Sequence, residues 1–564
     1  GIAMCRKASE AAALNRLGKS VEFLLCNNGT EQCEFFDKCL YQNQFKANDA
    51  EIKELNLPSV TIMAHNHLFH NKRELLPNPE FIVVDESFHQ AGIEEIKIPL
   101  DKLRGVKNRV TKTIFDSLYD DEPLLKALRE TDITPYILDE EAKANRPQLG
   151  VSNISPSMSW ELQQKELSST TNEYNRLDQL LSILSEELSI TDRNESYTVS
   201  KIQENGQDKA LVKRRMEMNV PEDVPVLFID ADLNRSITNL YRPDTEVIEI
   251  LVERRATIHQ FNKTWSMSSL EDDKNKLLED TKKFIDLVVS TGSTLIVTSQ
   301  SIRKLLTEKK PPFPSIDMYR GAAILHYSNL RGVNDYSAYK NVIVIGREQP
   351  PAKAMERLAK GLWWDSNQPI STVPEEKGNY PYLKNLKRGY RMRNHSPEDT
   401  EVQSHPDKRV QDLLELAREA EITQGIDRLR LVRGNKDRQV FILTSIPVDM
   451  TVDHLWSWER LQEFLECWIE SDGVLPLKAE DLLKVLSNSN LTVRGAKDLA
   501  ARLKKTLPLI DILISQDVLF GSYRSNIPKG IAPKLIISSK YDDPRKVLED
   551  KLNEKVTSFD IVTL

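Results

Sequence analysis

Apolar residues follow two patterns along this chain, and the switch between them outlines its elements. Short unbroken apolar runs stand at Phe81–Val84, Val226–Asp230, Thr294–Val297, Ala322–His326, Val342–Ile345 and Val440–Ser445. Runs of this kind, without polar alternation, predict strands of parallel sheet buried on both faces. Helical stretches accompany the later runs, at Lys276–Ser290, Ser301–Leu306, Ala352–Leu362 and Val410–Ala420. Strand alternating with helix predicts an α/β fold with doubly wound parallel sheets. Residues 101–220 read differently. They are charged, and Trp160, Leu162, Leu167, Tyr174, Leu177, Leu181, Leu184 and Leu188 recur at three- and four-residue intervals, which predicts a helical insertion. From Thr451 the chain turns amphipathic and aromatic, and Leu475–Lys505 reads as two or three short helices with Arg494, Lys497, Arg502, Lys504 and Lys505 clustered. A small, mainly helical C-terminal domain is expected there, as a structural cap or a winged-helix-like appendage. Cys467 reads as a core residue of that region.

Composition sets limits on this picture. A chain of 564 residues is too long for one core and implies several domains. With 40% hydrophobic and 29% charged residues it has no bias toward disorder. No apolar run approaches the ~20 residues of a membrane helix, so no membrane contact and a cytoplasmic location are expected. The net charge of −8 requires any nucleic-acid site to be a local patch. Gly1 is not an initiator Met, and no signal-peptide pattern follows it, so the chain is expected to begin within a longer protein.

The first candidate chemistry lies where Phe81–Val84 ends, at Asp85 and Glu86. The carboxyl end of a parallel strand is the ligand edge of an open α/β sheet. An Asp there can hold Mg²⁺ and a Glu can activate water, the pair that nucleotide hydrolysis needs. Four of the five cysteines, Cys5, Cys26, Cys33 and Cys39, crowd the first forty residues in the spacing C-x20-C-x6-C-x5-C. In an intracellular protein such crowding points to metal, either a structural zinc or a 4Fe–4S cluster. His65, His67 and His70 follow the apolar run Val60–Met63 and read as a polar loop, with metal ligation as the alternative. Ala13–Ser20, ALNRLGKS, imitates a phosphate loop, but helix Ala8–Leu17 precedes it and the apolar, strand-like Val21–Leu25 follows. A phosphate loop needs strand before and helix after, so this match is set aside. Farther on, Tyr380–Arg393 interleaves Tyr380, Tyr382 and Tyr390 with Lys384, Lys387, Arg388, Arg391 and Arg393. These are the stacking and phosphate-binding ingredients of a single-strand site, or else a basic solvated hairpin.

In order, a cysteine loop ending CEFFDKC, then AHNHLF, then FIVVDES resembles the iron–sulfur helicases of superfamily 2, the XPD/DinG branch. The resemblance continues through VLFIDADLN (motif III), LRGVN (motif V) and EITQGIDRLR (motif VI). It implies two RecA-like parallel-sheet lobes: a partial first lobe with the cysteine segment over 1–100, an arch-like helical insertion over 101–220, the rest of that lobe over 221–245, a second lobe over 246–450 and the C-terminal domain over 451–564. It implies an ATP-dependent DNA helicase of replication or repair, acting on single-stranded or forked DNA. Asp85 would hold Mg²⁺ and Glu86 would activate water. Gln424 and Arg428 would face the γ-phosphate, with Arg428 as an arginine finger. Arg331, Gly332, Asn334 and Arg430 would line the nucleotide, and Cys5, Cys26, Cys33 and Cys39 would hold the cluster. The chain departs from the family at Ser87 and Phe88 in the acidic box, at Asp232 in motif III, and at Asp427 and Leu431 in motif VI. Motif I is absent in any correct context, so a segment carrying it is expected upstream. The alternative is a non-catalytic, helicase-derived DNA-binding or scaffolding subunit.

Overall fold

Two acid-tipped apolar runs, with the 140 residues 86–225 between their strands, meet as neighbours in space. The computed structural model describes residues 5–16, 20–43, 60–69, 79–105, 108–145, 154–169, 176–250, 252–272, 276–314, 317–327, 330, 336–374, 383–433, 437–486, 491–514, 518–524 and 532–561. The chain is α/β and divides into two compact units. The first comprises Gly1–Val247, Ala352–Pro381 and Pro406–Asp412, and the second Ile248–Pro351, Tyr382–His405 and Leu413–Leu564.

In the first unit the strands are β1 (Ile82–Asp85), β2 (Ile93–Pro99), β3 (Val199–Glu204), β4 (Gln207–Arg215) and β5 (Val226–Ile229). β1 pairs in parallel with β5, Ile82 opposite Val226 and Asp85 opposite Ile229. β2, β4 and β3 form an antiparallel sheet in that order. The expectation of a purely helical insertion is therefore corrected: strands β3 and β4 lie inside it, joined by Asn205 and Gly206, both left-handed (φ 53 and 75). Asn-Gly is the residue pair a tight two-residue hairpin turn demands. Ile96, Ile98, Val199, Ala210 and Val212 bury the inner face of this sheet against helices Arg109–Tyr119, Leu124–Glu130, Pro135–Ala144 and Leu177–Ile190. Helix Ala352–Leu362, expected beside the second sheet, packs instead on β4, where a Cβ on Gly361 would lie 2.9 Å from the Lys213 carbonyl oxygen.

The second unit holds β6 (Thr257–Phe261), β7 (Thr294–Thr298), β8 (Met318–Tyr319), β9 (Ala322–His326), β10 (Asn341–Ile345), β11 (Lys384–Gly389), β12 (Asp399–Ser404), β13 (Gln439–Leu443), β14 (His454–Trp456), β15 (Val474–Pro476), β16 (Val518–Arg524), β17 (Lys534–Ser538) and β18 (Ser558–Ile561). Among the described residues, seven strands make its main sheet in the order β14-β6-β13-β10-β7-β9-β8, parallel but for the short edge strand β8. Successive side chains of a strand point to opposite faces, and here each face has its own core. Ile296, Ile324, Ile343, Ile345, Phe441 and Leu443 pack with helices Leu277–Thr291, Gln300–Thr307 and Trp458–Glu470. Leu295, Val297, Leu325, Val342, Val344 and Ile442 pack with Ile422 and Ile426 of helix Glu421–Asp427. The unbroken apolar runs follow directly from this double burial.

The C-terminal region is more than helices. β15, β17, β16 and β18 form an antiparallel sheet in that order beside helices Ala479–Val485 and Val493–Ile514. Leu475, Leu503, Ile510, Phe520 and Ile536 share one core with the parallel sheet, and the buried Cys467 belongs to it. No helix among the described residues is long and apolar enough to cross a membrane.

Candidate functional site

The acidic pair sits at the carboxyl end of β1. Asp85 is exposed and Glu86 half-buried. The Glu86 N–H donates to the Ile229 carbonyl at 2.8 Å, prolonging the β1–β5 ladder by one bond, and Glu86 then turns left-handed at φ 63. That conformation is uncommon for a non-glycine residue. His65 Nε2 lies 2.9 Å from the Asp85 carbonyl oxygen, so this histidine serves the polar-loop role. His70 lies outside the described residues. Phe88, where the resembled family has His, is buried and stacks on Phe228 at 5.0 Å between ring centroids, with Tyr241 edge-on at 5.2 Å. On the other strand, Asp232 N–H donates to Asp230 Oδ1 at 3.0 Å, and Asn234 caps helix Arg235–Tyr241. The opposite face of the strand pair is bare: Phe81, Val83, Leu227 and Ile229 are all exposed. Among the described residues β1 and β5 pair only with each other. The apolar Val60–Met63 forms no strand and is exposed.

The four N-terminal cysteines lie in one another's electrostatic reach. Burial raises the Cys5 thiol, a backbone N–H from Lys7 opposes this, and Cys39 and Cys33 raise it further. Burial pushes the Cys26 thiol up to about 11, with Cys5, Cys33 and Cys39 adding to it and the Gln42 side chain opposing. All four are free thiols. The segment is stitched by Cys33 N–H to the Cys26 carbonyl at 2.8 Å and Asn43 N–H to the Cys39 carbonyl at 2.8 Å. The expected apolar strand Val21–Leu25 is in fact a π-helix, Glu22–Cys26. Its Leu25 packs with Leu14 and Ile154 in a small core. Trp160 Nε1 and Gln164 Nε2 both donate to Glu10 Oε1, at 2.9 and 2.8 Å, fastening helix Trp160–Ser169 onto the cysteine segment. Among the described residues no group of three or more His, Cys, Asp or Glu side chains is gathered to hold a metal ion. Two donors nonetheless ask for an acceptor there: buried Lys7 Nζ and Gln42 Nε2 have no hydrogen-bond partner among the described residues. Lys7 Nζ stands 3.6 Å from Glu34 Oε1, and the Gln42 side chain lies against the Cys26 thiol.

In the second unit Gln424 and Arg428 lie half-buried on and just after helix Glu421–Asp427. A π-helix, Leu416–Ala420, runs into that helix; such bulges concentrate at functional sites. Within it Arg418 and Glu419 are buried, with Arg418 Nε and Nη2 donating to the Glu419 carboxylate at 2.8 and 2.7 Å. Arg388 Nη1 joins the same carboxylate at 2.6 Å. Burial, and then Arg418, pull the neighbouring Arg347 guanidinium down to about 10, and burial raises Glu348. Arg347 follows β10 at the carboxyl edge of the parallel sheet, the edge where ligands of such sheets bind. Sequence reasoning passed over Arg347, Arg418 and Glu419, although Gly-Arg-Glu directly after an apolar run was a usable signal. Asp427, standing where the family has Gly, is held by Arg254 in a two-bond pair at 2.9 and 2.8 Å. Arg430 is exposed and left-handed at φ 53. Arg331, Gly332, Asn334 and Tyr380 lie outside the described residues.

Helix Glu421–Asp427 approaches β7 so closely that a Cβ on Gly425 would fall 2.8 Å from Val297 Cγ1. Valine is stiff at χ1, so the helix must yield. Gly425→Ala is expected to lower stability by about 1–3 kcal/mol, the range for overpacking a core. Thermal unfolding by circular dichroism checks this, and an unchanged midpoint would contradict the close approach.

The basic stretch forms one strand of the antiparallel hairpin β11–β12. Its cations meet carboxylates: Lys387 lies 3.6 Å from Asp399, Arg391 2.9 Å from Asp449, and Arg393 pairs with Asp453 and Glu253. Tyr390 corrects the stacking expectation. It is buried in the core, with its hydroxyl donating to the Ser445 carbonyl at 2.6 Å, and no ring face is open to a base. Among known proteins, no family model matches the chain, and no curated protein matches it.

Proposed function

We propose that this protein is a helicase-like ATPase that couples ATP hydrolysis to movement on single-stranded or forked DNA in replication or repair, its two parallel-sheet regions serving as RecA-like lobes. The observation that carries the reading is the acid-tipped pair of parallel strands, with Glu86 turned out of the ladder in a strained backbone conformation. In this reading Asp85 holds Mg²⁺ and Glu86 takes the proton of the attacking water. Gln424 and Arg428 serve the γ-phosphate, supported by the cation-rich sheet edge around Arg347, Arg388 and Arg418. Lys387, Arg388, Arg391 and Arg393 meet the DNA backbone by exchanging carboxylate partners for phosphates. In this reading a further segment supplies the phosphate loop.

Cys5, Cys26, Cys33 and Cys39 would hold a 4Fe–4S cluster, which would order the segment that helix Trp160–Ser169 clasps. Single-stranded DNA should stimulate ATP hydrolysis by the polypeptide of the complete reading frame, and anaerobic preparations should be brown and contain iron and sulfide. DNA-independent hydrolysis would overturn the motor reading. Binding of DNA without any hydrolysis would leave a non-catalytic binding subunit, and stoichiometric zinc in a colourless protein would replace the cluster.

A further inference from the structure

The carboxyl edge of the main sheet carries an arginine that is rigidly mounted yet, among the described residues, has no counter-charge of its own. Gly346, just after β10, donates its N–H to the Leu443 carbonyl at 3.0 Å, and its own carbonyl accepts from the buried Tyr327 hydroxyl at 2.9 Å. It is left-handed at φ 69, and a Cβ there would fall 2.7 Å from the Trp265 carbonyl oxygen. The next residue, Arg347, is therefore projected from a fixed point. Among the described residues its one hydrogen bond runs from Nε to Gln349 Oε1 at 3.1 Å, and it makes no ion pair. Both terminal nitrogens, each a double donor, are left over. The carboxylates of this neighbourhood are already engaged. Glu419 holds Arg418 through both oxygens, at 2.8 and 2.7 Å, and Arg388 at 2.6 Å. Glu415 lies 3.2 Å from Arg388. Glu348, next in the chain, is raised by burial, and no ion pair joins it to Arg347. Burial, and then the fully buried Arg418, work against the charge on Arg347 more than Glu419 supports it.

We propose that Arg347 binds a phosphate group at the carboxyl edge of this sheet, its two terminal nitrogens meeting two phosphate oxygens. Ligands of open parallel sheets lie at this edge. A planar guanidinium matches phosphate in two parallel bonds, which an ammonium cannot do. A bound phosphate supplies the missing counter-charge, so Arg347 is least favourable in the free protein and gains when the ligand arrives. Cations disfavoured in this way gather at functional sites. The inference rests on the proposed function only for the carrier, since the phosphate belongs either to the nucleotide or to the DNA backbone. Stability and binding respond in opposite directions. Arg347→Met keeps an apolar stem and removes the uncompensated charge, so it weakens phosphate binding without weakening the fold.

The test compares wild type, Arg347→Met and Arg347→Lys in the polypeptide of the complete reading frame. Calorimetry reads the affinity for adenylyl imidodiphosphate with Mg²⁺. A salt titration reads the affinity for a single-stranded oligodeoxythymidylate, and circular dichroism reads the thermal midpoint without ligand. The expected result in Arg347→Met is an affinity lowered by about 10- to 100-fold for one carrier, the weight of a charged hydrogen bond, with a midpoint no lower than wild type. Arg347→Lys keeps the charge but not the paired donors, and its affinity should fall between the two. A loss for the analogue with DNA affinity intact assigns the phosphate to the nucleotide. A loss for the oligonucleotide, with the slope of log K against log salt reduced by about 0.7, assigns it to the DNA backbone. Unchanged affinities for both carriers, or a lower midpoint in Arg347→Met, overturn the proposal and leave the motor reading standing. A wild-type protein that binds neither carrier overturns both.

Discussion

Glu86→Gln is expected to lower DNA-stimulated ATP turnover by about 10²–10⁴-fold, the range that a positioned general base contributes. Glutamine keeps the size of the side chain and its power to hydrogen-bond, but it cannot accept the proton of the attacking water. The backbone has no reason to move. The Glu86 N–H is held by the Ile229 carbonyl at 2.8 Å, and that bond is independent of the side chain. The half-buried position tolerates a neutral amide without new desolvation. The loss should therefore appear in kcat, with KM for ATP and affinity for single-stranded DNA close to wild type. The measurement is steady-state hydrolysis with and without DNA, on the polypeptide of the complete reading frame, beside a DNA-binding titration. Undiminished turnover in the variant would remove Glu86 from the chemistry. A loss of DNA binding equal to the loss of turnover would show the residue to act through structure.

The strands of the main sheet were legible because double burial writes itself as unbroken apolar runs, as at Val342–Ile345 and Val440–Leu443, whereas Phe81–Val84, expected to be buried on both faces, leaves Phe81 and Val83 exposed. Strands β3 and β4 were not, because the buried apolar run of β4 is only three residues long, Ala210–Val212, and β3 has none. VSKIQE and QDKALVKRR alternate weakly and look as charged as the helices around them, and only Asn205-Gly206 betrays the turn. The opposite error occurred at Val21–Leu25, an apolar run that forms no strand, since an apolar run is only a request for a partner. Tyr390 misled for a related reason. Its basic neighbours face solvent while its own ring, at the end of β11, turns into the core. What sequence could not reveal was long-range company. Arg347 beside Arg418 acquires meaning only when distant segments are brought together.

Glu187→Ala is expected to destabilise the first unit by about 3–5 kcal/mol, the cost of removing one member of a buried ion pair. Glu187 is fully buried near the end of helix Leu177–Ile190. Its carboxylate accepts from Arg193 Nη2 at 2.9 Å, Ser196 Oγ at 2.7 Å, the Tyr197 N–H at 2.6 Å and Thr198 Oγ1 at 2.6 Å. One side chain thus organises the whole connection between that helix and β3. Arg193 in turn donates to the Trp364 carbonyl at 2.6 Å and lies over the Tyr197 ring at 4.0 Å, so it cannot follow the lost charge into solvent without abandoning those contacts. Alanine leaves a buried guanidinium without its counter-charge and three further donors without an acceptor, which is why the effect exceeds that of an ordinary cavity. Replacing both partners, Glu187→Leu with Arg193→Met, removes the charges together and should cost less than Glu187→Ala alone. Urea unfolding, with hydrogen exchange of the 193–199 amides as the local readout, distinguishes the cases. Equal destabilisation by the single and the double replacement would mean that packing, not the uncompensated charge, holds this connection.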